Sequence, residues 1–272
     1  MDSPQETVQL DNFHTIFGLA GKVAVVTGGS RGLGLQTASG FLQSGCSKVY
    51  LVARGAADLD AAAEALNSLS TPLKHGDAKA IPIVADISTS TDHVDVLVAN
   101  AGATFIGRFD DYKEQDFANV MNVNVNSVFF STQQLTSLLE AAGTVQDPSR
   151  VIMVSSVAGV VIGDVGEHGT YAYAASNAAV VHLMHNLAVE LGPRHITVNV
   201  VAPGIIPTKM SGALMARHGG LEAVAKQVPD QQLGAKEDVA GTMVFLTSRA
   251  SRHINGCTVV LDGGSFLVRG CA

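Results

Sequence analysis

The sequence predicts a single α/β domain in which helices wind a parallel sheet on both faces. Short runs of β-branched residues that end in turn residues recur along the chain and alternate with helix-like patterns. Strands that alternate with helices are typical of a parallel sheet covered on both sides. A chain of 272 residues is long enough to bury a full core, and it contains no repeat, low-complexity tract or linker that would divide it.

Each predicted strand is one of these β-branched runs, and helical patterns lie between most of them. The strands, in order, are KVAVVTGG (22–29), KVYLVAR (48–54), AIPIVAD (80–86), VDVLVANAG (94–102), RVIMVSS (150–156), ITVNVVAPG (196–204) and CTVVLDGG (257–264). The predicted helices are 32–44, 57–69, 112–142, 172–191 and 236–248. We expect residues 1–17 to form a polar N-terminal arm and residues 18–272 to form the domain.

The link between the third and fourth strands is too short for a helix. Only eight residues, ISTSTDHV (87–94), separate Asp86 from Asp95. In a sheet ordered 3-2-1-4 this link must span about 25 Å, and eight extended residues reach at most roughly 28 Å. Because a parallel crossover normally takes a dozen or more residues, we predict a shortened, extended crossover, or a sequence that lacks a segment here.

Composition excludes several classes of protein. The net charge is −7 and the basic residues are scattered, which argues against nucleic acid as the main partner. No apolar run is as long as a membrane span, and the acidic, polar start of the chain is unlike a signal peptide. Cys46, Cys257 and Cys271 are too few and too scattered for a disulfide framework or a metal site. We therefore expect a cytoplasmic protein that binds neither nucleic acid nor membranes.

A glycine-rich turn joins the first strand to the first helix. The stretch VAVVTGGSRGLGLQTA places Gly28, Gly32 and Gly34 there, with Ser30 and Leu33 between them. Glycines at this turn let the backbone approach a pyrophosphate, whose charge the helix N-terminus holds. The turn predicts a dinucleotide-binding loop; a glycine-rich turn without a ligand is the alternative.

The end of the second strand indicates which dinucleotide binds. An acidic residue there would bind the ribose 2′-hydroxyl, but this chain has Ala53 followed by Arg54. Together with Arg31 in the glycine loop, Arg54 can bind a 2′-phosphate, and no nearby carboxylate repels it. Either arginine alone fits a solvated surface position equally well, but the two together favour NADP(H) over NAD.

Seven stretches of the chain, in their order and spacing, resemble the short-chain dehydrogenase/reductase family from about residue 18 to 268. They are TGGSRGLG (27–34), ANAG (99–102), NVNVNSVFF (122–130), VSSVAG (154–159), YAASN (173–177), APGIIPT (202–208) and GCTVVLDGG (256–264). The glycine loop and LAVELGPRHITVN (187–199) are similar to the β-ketoacyl-reductase-like branch of that family. The resemblance implies a Rossmann-type domain, a nicotinamide cofactor and reversible reduction of a carbonyl to an alcohol.

The resemblance also implies roles for individual residues. Tyr173 takes the place of the proton donor, Ser156 that of the carbonyl-binding hydroxyl and Asn124 that of the asparagine that holds a relay water. The implied cofactor contacts are Asp86 and Ile87 by the adenine, Asn100, Ala101 and Gly102 along the cofactor, and Pro203, Gly204, Ile206 and Thr208 at the nicotinamide carboxamide. Tyr171 is the alternative proton donor, although its surroundings match the family pattern less well.

Position 177 departs from the family pattern. The family has a lysine there, which binds the nicotinamide ribose and lowers the pKa of the tyrosine, whereas this chain has Asn177. An amide can still donate to a ribose hydroxyl, but it supplies no charge. The pKa of Tyr173 should then lie near the free value of about 10. Because alcohol oxidation needs the tyrosinate and carbonyl reduction needs the phenol, we predict an NADPH-dependent reductase with weakened oxidation activity.

Two other functions stay open. The chain could be a pseudo-enzyme, sensor or scaffold that binds NADP(H) without turnover. It could instead reduce an imine or an enone with another acid from the loop 157–170, which contains Asp164, Glu167 and His168, although each is more simply a solvated loop residue. His182 and His185 are interpreted as packing or subunit-contact residues, because no third metal ligand has a suitable spacing.

The substrate pocket should open above the carboxyl ends of the strands. Its predicted walls are 103–107, 157–168 and 205–228, and the last of these is largely apolar and lacks a cluster of cations. A small hydrophobic ketone fits such walls better than a phosphorylated or polyanionic substrate. The apolar outer faces of helices 112–142 and 172–191 predict a homodimer or a homotetramer.

Overall fold

A parallel β-sheet forms the centre of the protein. The structure, a computed structural model, describes residues 8, 10, 12–70, 76–83, 91–217 and 219–268. Within these residues the strands are β1 (Val23–Thr27), β2 (Lys48–Val52), β3 (Lys79–Ile83), β4 (Val96–Ala99), β5 (Ser149–Val154), β6 (Ile196–Pro203) and β7 (Thr258–Leu261). They lie in the order β3-β2-β1-β4-β5-β6-β7, and all neighbouring pairs are parallel. The predicted α/β fold with a parallel sheet is therefore confirmed.

Helices connect the strands and cover the sheet. They are α1 (Gly32–Gln43), α2 (Ala56–Asn67), α3 (Glu114–Met121), α4 (Ser127–Ala142), α5 (Tyr171–Leu191), α6 (Gly212–Arg217), α7 (Leu221–Ala225), α8 (Lys236–Thr247) and α9 (Ser265–Val268). The short helices α6, α7 and α9 were not predicted, because they are too brief to show a helical period. A π-helical turn, Asn122–Asn126, joins α3 to α4 within the predicted helix 112–142.

Each face of the sheet has its own hydrophobic core, because successive strand residues point to opposite faces. On one face, Val26 of β1 packs in a cluster with Phe41 of α1 and Met243 of α8. On the other face, Val25 packs in a cluster with residues of α4 and α5 such as Met184. The doubly wound arrangement follows from this alternation of side chains.

The predicted short crossover lies partly outside the described residues, which omit 84–90. Of the linking residues that the structure does describe, 91–95, none is helical. β3 and β4 lie on opposite sides of the β2–β1 pair, as the order 3-2-1-4 requires. The length of the link is therefore compatible with the observed sheet order.

The end of the predicted arm packs against α8. Phe17 stacks on Phe245, with 6.5 Å between the ring centroids. The carbonyl oxygen of Ile16 accepts a hydrogen bond from the backbone N–H of Ala250 at 3.0 Å. The boundary between arm and domain at residues 17 and 18 stays a prediction.

The described part of the chain contains neither a membrane-crossing helix nor a metal cluster. None of its helices is both long enough and apolar enough to cross a bilayer. No three of its His, Cys, Asp or Glu side chains are grouped so that they could hold a metal ion. Cys46 is buried and Cys257 is exposed, whereas Cys271 lies outside the described residues.

A partly buried ion-pair network joins the amino ends of β1, β4 and β5. The Nζ of Lys22 lies 2.8 Å from Asp147 Oδ2 and 3.6 Å from Asp95 Oδ1. Arg150 is fully buried and donates to Asp147 Oδ1 and, at 2.8 Å, to the carbonyl oxygen of Ser248. Burial raises the pKa of Asp147, but Lys22 and Arg150 outweigh burial and hold that pKa below its ordinary value.

Asp147→Ala is expected to lower the free energy of unfolding by about 3–5 kcal/mol, because Arg150 keeps a buried charge without its partner. The stability that Asp147 contributes is present above the ordinary carboxyl pKa of about 4 and is lost as the pH falls through the lowered folded value. Denaturant melts near pH 7 and near pH 3 should show that the difference in free energy of unfolding between the unmodified protein and Asp147→Ala becomes smaller in acid. Glu140→Ala, which removes the partner of the exposed Arg194, is the control; an equal loss there would contradict this explanation.

Candidate functional site

The predicted site lies where the connections of the sheet change direction. β1 and β4 are neighbours in the sheet, and the chain leaves them towards opposite sides of it. The glycine loop 28–34 follows β1, and the segment 100–107 follows β4, so both lie at the carboxyl edge of the sheet. A crevice at this position is the usual ligand-binding place in a doubly wound sheet.

Asn100 fastens these two segments together. Its Nδ2 donates to the carbonyl oxygen of Thr27 at 2.9 Å. The backbone N–H groups of Asn100 and Ala101 donate to Thr27 Oγ1 at 2.9 and 3.0 Å. Gly28, the next residue, has a φ of 66°, a conformation that favours glycine. The turn is therefore held in one position before α1 begins.

The glycine loop is shaped for a close approach of backbone groups. A Cβ on Gly34 would lie 2.4 Å from the carbonyl oxygen of Gly28 and 2.6 Å from Asn100 Nδ2, so a side chain has no room there. Among the described residues, a Cβ on Gly32 would meet only Thr208 Cγ2, at 3.9 Å. Open space above Gly32, at the N-terminus of α1, fits a pyrophosphate group.

Gly34→Ala is expected to weaken NADPH binding by at least tenfold and to lower the melting temperature. The new methyl group would collide with both Gly28 and Asn100, so both would have to move away from α1. Fluorescence titration of NADPH and a thermal melt measure the two effects. Gly241→Ala is the matched control, because Gly241 lies inside α8 with free space around it. Unchanged NADPH affinity in Gly34→Ala would contradict the assignment of this loop.

Most of the other predicted cofactor residues lie at the same edge of the sheet. Arg31 is at the N-cap of α1 and Arg54 follows β2, and both are exposed. Arg54 lines a cavity of about 370 Å³ together with residues 103–105 and α3. The remaining positions are Ser30 in the loop, Leu33 in the first turn of α1, Gly102 after β4, Pro203 at the end of β6, and Gly204 and the buried Ile206 just beyond it. Asp86 and Ile87 lie outside the described residues.

Ser156 and Asn177 lie beside Tyr173, close enough to lower the pKa of its phenol. Ser156 follows β5, and its Oγ accepts a hydrogen bond from the backbone N–H of Ala158 at 3.2 Å. Burial raises the pKa of Tyr173 above its ordinary value, and the hydrogen bonds with Ser156 and Asn177 offset only part of this rise. The phenol therefore keeps its proton at neutral pH, as expected for a site without a nearby cation.

Asn177 is held against its own helix. Its Nδ2 donates to the carbonyl oxygen of Tyr173 at 2.8 Å, and the residue is 5% exposed. The carbonyl oxygen of Asn177 accepts from Ser155 Oγ at 3.0 Å. A Cβ on Gly159 would lie 2.6 Å from the carbonyl carbon of Asn177, so the turn after Ser156 lies directly on α5 here. One amide proton of Asn177 is thus already used within the helix, rather than directed outwards.

Asn124 lies in the π-helical turn and joins three parts of the site. Its Oδ1 accepts from the backbone N–H of Ala103 at 2.8 Å, and its Nδ2 donates to the carbonyl oxygen of Ala103 at 2.9 Å. Nδ2 also donates to Ser176 Oγ at 2.9 Å. Ser176 in turn donates to the carbonyl oxygen of Tyr173 at 2.8 Å. This chain of bonds fixes the position of the wall 103–107 relative to the tyrosine helix.

Tyr171 points to a different place from Tyr173. Its hydroxyl accepts from the backbone N–H of Gly166 at 3.2 Å. Its ring packs against Tyr112 and Phe109, with centroid distances of 5.6 and 5.9 Å. Tyr173 is therefore the tyrosine that the structure brings to Ser156.

The other candidate side chains of the sequence lie at the surface. Glu167 and His168 are exposed, and Asp164 is half-buried with its carbonyl oxygen accepting from the backbone N–H of Thr170 at 2.9 Å. His182 and His185 are exposed on α5, with 6.1 Å between their ring centroids. None of these side chains is among those described above beside Tyr173.

The sequence did not indicate Ser176 or Tyr112 as parts of the site. The hydroxyl of Tyr112 accepts from the backbone N–H of Ala172 at 3.4 Å and donates to the carbonyl oxygen of Phe105 at 3.3 Å. It supplies a partner for the first turn of α5, where Thr170 gives no side-chain cap. Because Tyr112 and Ala172 are 60 residues apart, no local pattern could reveal this contact.

The predicted walls are mainly apolar where the structure describes them. A cavity of about 560 Å³ is lined by residues 158–165, Tyr171 and three alanines of α5. Ile162, on this loop, is 82% exposed. In the segment 205–228, Ile206 is buried and Met210 is exposed. Residue 218 and the side chains of residues 213 and 214 are not among the parts of the chain that the structure describes.

Comparison with known proteins identifies the family. The family model described as Enoyl-(Acyl carrier protein) reductase matches residues 28–265. A Pseudomonas aeruginosa protein named rhamnolipids biosynthesis 3-oxoacyl-(acyl-carrier-protein) reductase is 37% identical over 267 residues, covering 93% of this chain and 100% of that protein. The chain belongs to the short-chain dehydrogenase/reductase family.

Relatives within the short-chain dehydrogenase/reductase family carry different substrate names. Gluconate 5-dehydrogenase of Gluconobacter oxydans is 32% identical over 255 residues, covering 92% of this chain and 96% of that protein. The Pseudomonas aeruginosa RhlG/NADP active-site complex matches the fold with a TM-score of 0.83 at 35% identity, covering 93% of this chain and 100% of that one. This chain and the RhlG structure therefore share the Rossmann-type fold over nearly the whole of both chains.

Proposed function

We propose that the protein is an NADP(H)-dependent oxidoreductase that reduces the carbonyl group of a hydrophobic ketone to an alcohol. The observation that carries this proposal is the half-buried, protonated Tyr173 beside Ser156 at the carboxyl edge of the sheet. Membership of the short-chain dehydrogenase/reductase family supports the reaction type. The structural relative from Pseudomonas aeruginosa, a complex of RhlG with NADP, supports the cofactor.

The residues at the carboxyl edge fit the parts of NADP(H). Gly32 and Gly34 at the N-terminus of α1 would hold the pyrophosphate, and Arg31 and Arg54 would hold the 2′-phosphate. Gly102 would line the cofactor together with Asn100 and Ala101. The nicotinamide carboxamide would be held by Pro203, Gly204, Ile206 and Thr208. When bound, NADPH supplies the hydride that reduces the substrate.

Tyr173 would supply the proton for the new alcohol. Ser156 and Tyr173 would donate hydrogen bonds to the carbonyl oxygen, and Tyr173 would transfer its proton as that oxygen becomes an alkoxide. An alkoxide is a far stronger base than a phenolate, so this transfer stays favourable although burial raises the pKa of Tyr173. Asn124 would hold a relay water behind the tyrosine. The reverse reaction needs the tyrosinate, which is scarce here.

The walls support a neutral, apolar substrate of the β-ketoacyl type. The segment 103–107 carries no charged side chain, and 157–168 carries no lysine or arginine. A carboxylate such as gluconate would therefore find no cation on these two segments, and the cations of 205–228 in the described residues are exposed. An apolar acyl chain fits such walls. The β-ketoacyl-reductase-like branch is accordingly the part of the family that we propose for this chain.

A cofactor-binding protein without turnover is the second candidate. The observation that favours it is Asn177, whose amide is bonded to the tyrosine helix and carries no charge. Such a protein would bind NADPH through the same glycine loop but would leave it unoxidised with any ketone. The two candidate functions thus differ in one measurable property, the oxidation of bound NADPH by a ketone.

Exposed apolar side chains support a homodimer or a homotetramer. Phe130 on α4 is 52% exposed and Val189 on α5 is 79% exposed. Both lie on the helix faces that the sequence predicted as subunit contacts. A cytoplasmic location is part of the same proposal and is supported by the composition of the chain.

Fluorescence titration with NADPH and with NADH, followed by a panel of hydrophobic ketones, tests the proposal. We expect NADPH to bind more tightly than NADH and to be oxidised by at least one apolar ketone. Tight NADPH binding without oxidation across the panel would favour the cofactor-binding protein. Absence of NADPH binding would contradict both candidates.

A further inference from the structure

Four uncharged polar side chains form a cluster at Tyr173 in the described part of the structure. Ser156 and Ser176 contribute hydroxyls, and Asn124 and Asn177 contribute amides. Asn177 is 5% exposed and packs within the site, so a neutral amide occupies the position beside the tyrosine hydroxyl. A substrate cation at the reacting position would therefore meet no positive charge from this cluster.

The predicted walls carry charges of both signs, and the charged residues of the loop 157–168 are carboxylates. Asp164 and Glu167 lie in the segment 157–168, whose one other titratable residue is His168. The 3₁₀ turn Phe109–Asp111 lies next to this loop, because Phe109 packs on Tyr171. The turn 109–111 adds two further carboxylates, of which Asp111 is paired with Arg108 at 3.8 Å. The cations of the segment 205–228 in the described residues, Lys209, Arg217 and Lys226, are exposed.

We propose that this uncharged cluster also reduces preformed cationic C=N substrates, such as cyclic N-alkyl iminium ions. The proposal rests on the proposed function, because it uses the same cofactor site. A lysine ammonium at position 177 would repel such a cation, whereas Asn177 does not. Asp164, which lines the cavity of about 560 Å³ together with Tyr171, attracts a cation and repels an anion.

Iminium reduction balances without a proton from the protein. The iminium carbon gains a hydride, so a new C–H bond forms there while the C–H bond of NADPH breaks and leaves NADP⁺. The π pair of the C=N bond becomes the lone pair of nitrogen, and the product is a neutral tertiary amine. Because no alkoxide forms, the proton of Tyr173 stays in place. Lowering the pKa of Tyr173, which the lysine would do, thus brings no benefit to this reaction.

A matched pair of substrates tests the proposal. 2-Methyl-3,4-dihydroisoquinolinium and 1-tetralone have similar bicyclic skeletons and differ in charge, and a blank without protein corrects for direct reduction of the iminium by NADPH. We expect Asn177→Lys to lower the ratio of the iminium kcat/KM to the ketone kcat/KM by roughly tenfold. Asn186→Lys is the control, because Asn186 is an exposed asparagine of α5 with the same kind of bond to the carbonyl oxygen four residues back.

Tyr173→Phe gives an independent comparison if the lysine variant does not fold. We expect it to lower the ketone kcat/KM at least tenfold more than the iminium value, because hydride transfer to the cation needs no acid. Calorimetric titration of the iminium without NADPH is a second measurement. Its Kd should rise about tenfold in Asn177→Lys and stay unchanged in Asn186→Lys.

The outcomes separate this proposal from the proposed function. Ketone reduction without iminium reduction would overturn the proposal and leave the ketone reductase intact. Equal iminium values of kcat/KM and Kd in Asn177→Lys and Asn186→Lys would overturn it as well. Iminium reduction without ketone reduction would support it and contradict the ketone reductase.

Discussion

Tyr173→Phe is expected to slow NADPH-dependent ketone reduction by about a thousandfold, because it removes the only acid that we assign to the developing alkoxide. The ring and its packing stay in place, so the folded structure and NADPH affinity should change little. Initial rates with an apolar ketone, together with a fluorescence titration of NADPH, separate loss of chemistry from loss of cofactor binding.

Tyr171→Phe is the matched control for this experiment. It removes a hydroxyl from the same helix, but one whose partner is the backbone N–H of Gly166. We expect its ketone-reduction rate to stay within about threefold of the unmodified protein. A large loss in Tyr171→Phe with little loss in Tyr173→Phe would reverse the assignment of the proton donor.

Asn177→Lys is expected to raise alcohol oxidation far more than ketone reduction. A cation beside the Tyr173 hydroxyl lowers the pKa of a tyrosine by about 1–3 units, which raises the tyrosinate fraction at neutral pH about tenfold or more. Oxidation uses that tyrosinate as its base, whereas reduction uses the phenol, which stays the dominant form. Initial rates in both directions at one pH measure the change in their ratio.

Asn186→Lys adds the same charge to the exposed side of α5 and should change neither direction by more than about threefold. A thermal melt of Asn177→Lys shows whether the larger side chain is accommodated, since Asn177 is 5% exposed. An equal change of oxidation and reduction in Asn177→Lys would contradict the link between position 177 and the ionisation of Tyr173.

The sheet and the glycine loop could be predicted because their signals are local. β1 and the turn after it show a β-branched run followed by Gly28, Gly32 and Gly34, and the alternation of such runs with helical patterns is visible over short windows. The cluster of Ser156, Tyr173 and Asn177 was predicted through the family resemblance, and the structure brings these side chains together.

The supporting contacts could not be predicted, because they join distant parts of the chain. Asn124 bonds to Ser176 across 52 residues, and Tyr112 bonds to Ala172 across 60. Asn100 fixes the glycine loop through Thr27, 73 residues earlier. The π-helical turn at 122–126 also has no local signal, since its residues alone do not distinguish an inserted residue from a regular helix.

The pH dependence of ketone reduction tests the central claim most directly, namely that the half-buried Tyr173 donates its proton without help from a cation. Burial raises the pKa of Tyr173, so the reactive phenol persists from neutral pH upwards and is lost only as the pH rises through the folded pKa. We predict a reduction rate that stays flat to about pH 9 and falls only above roughly pH 10. A rate that falls between about pH 7 and 8 would contradict the claim, because the donor would then be an acid of lower pKa.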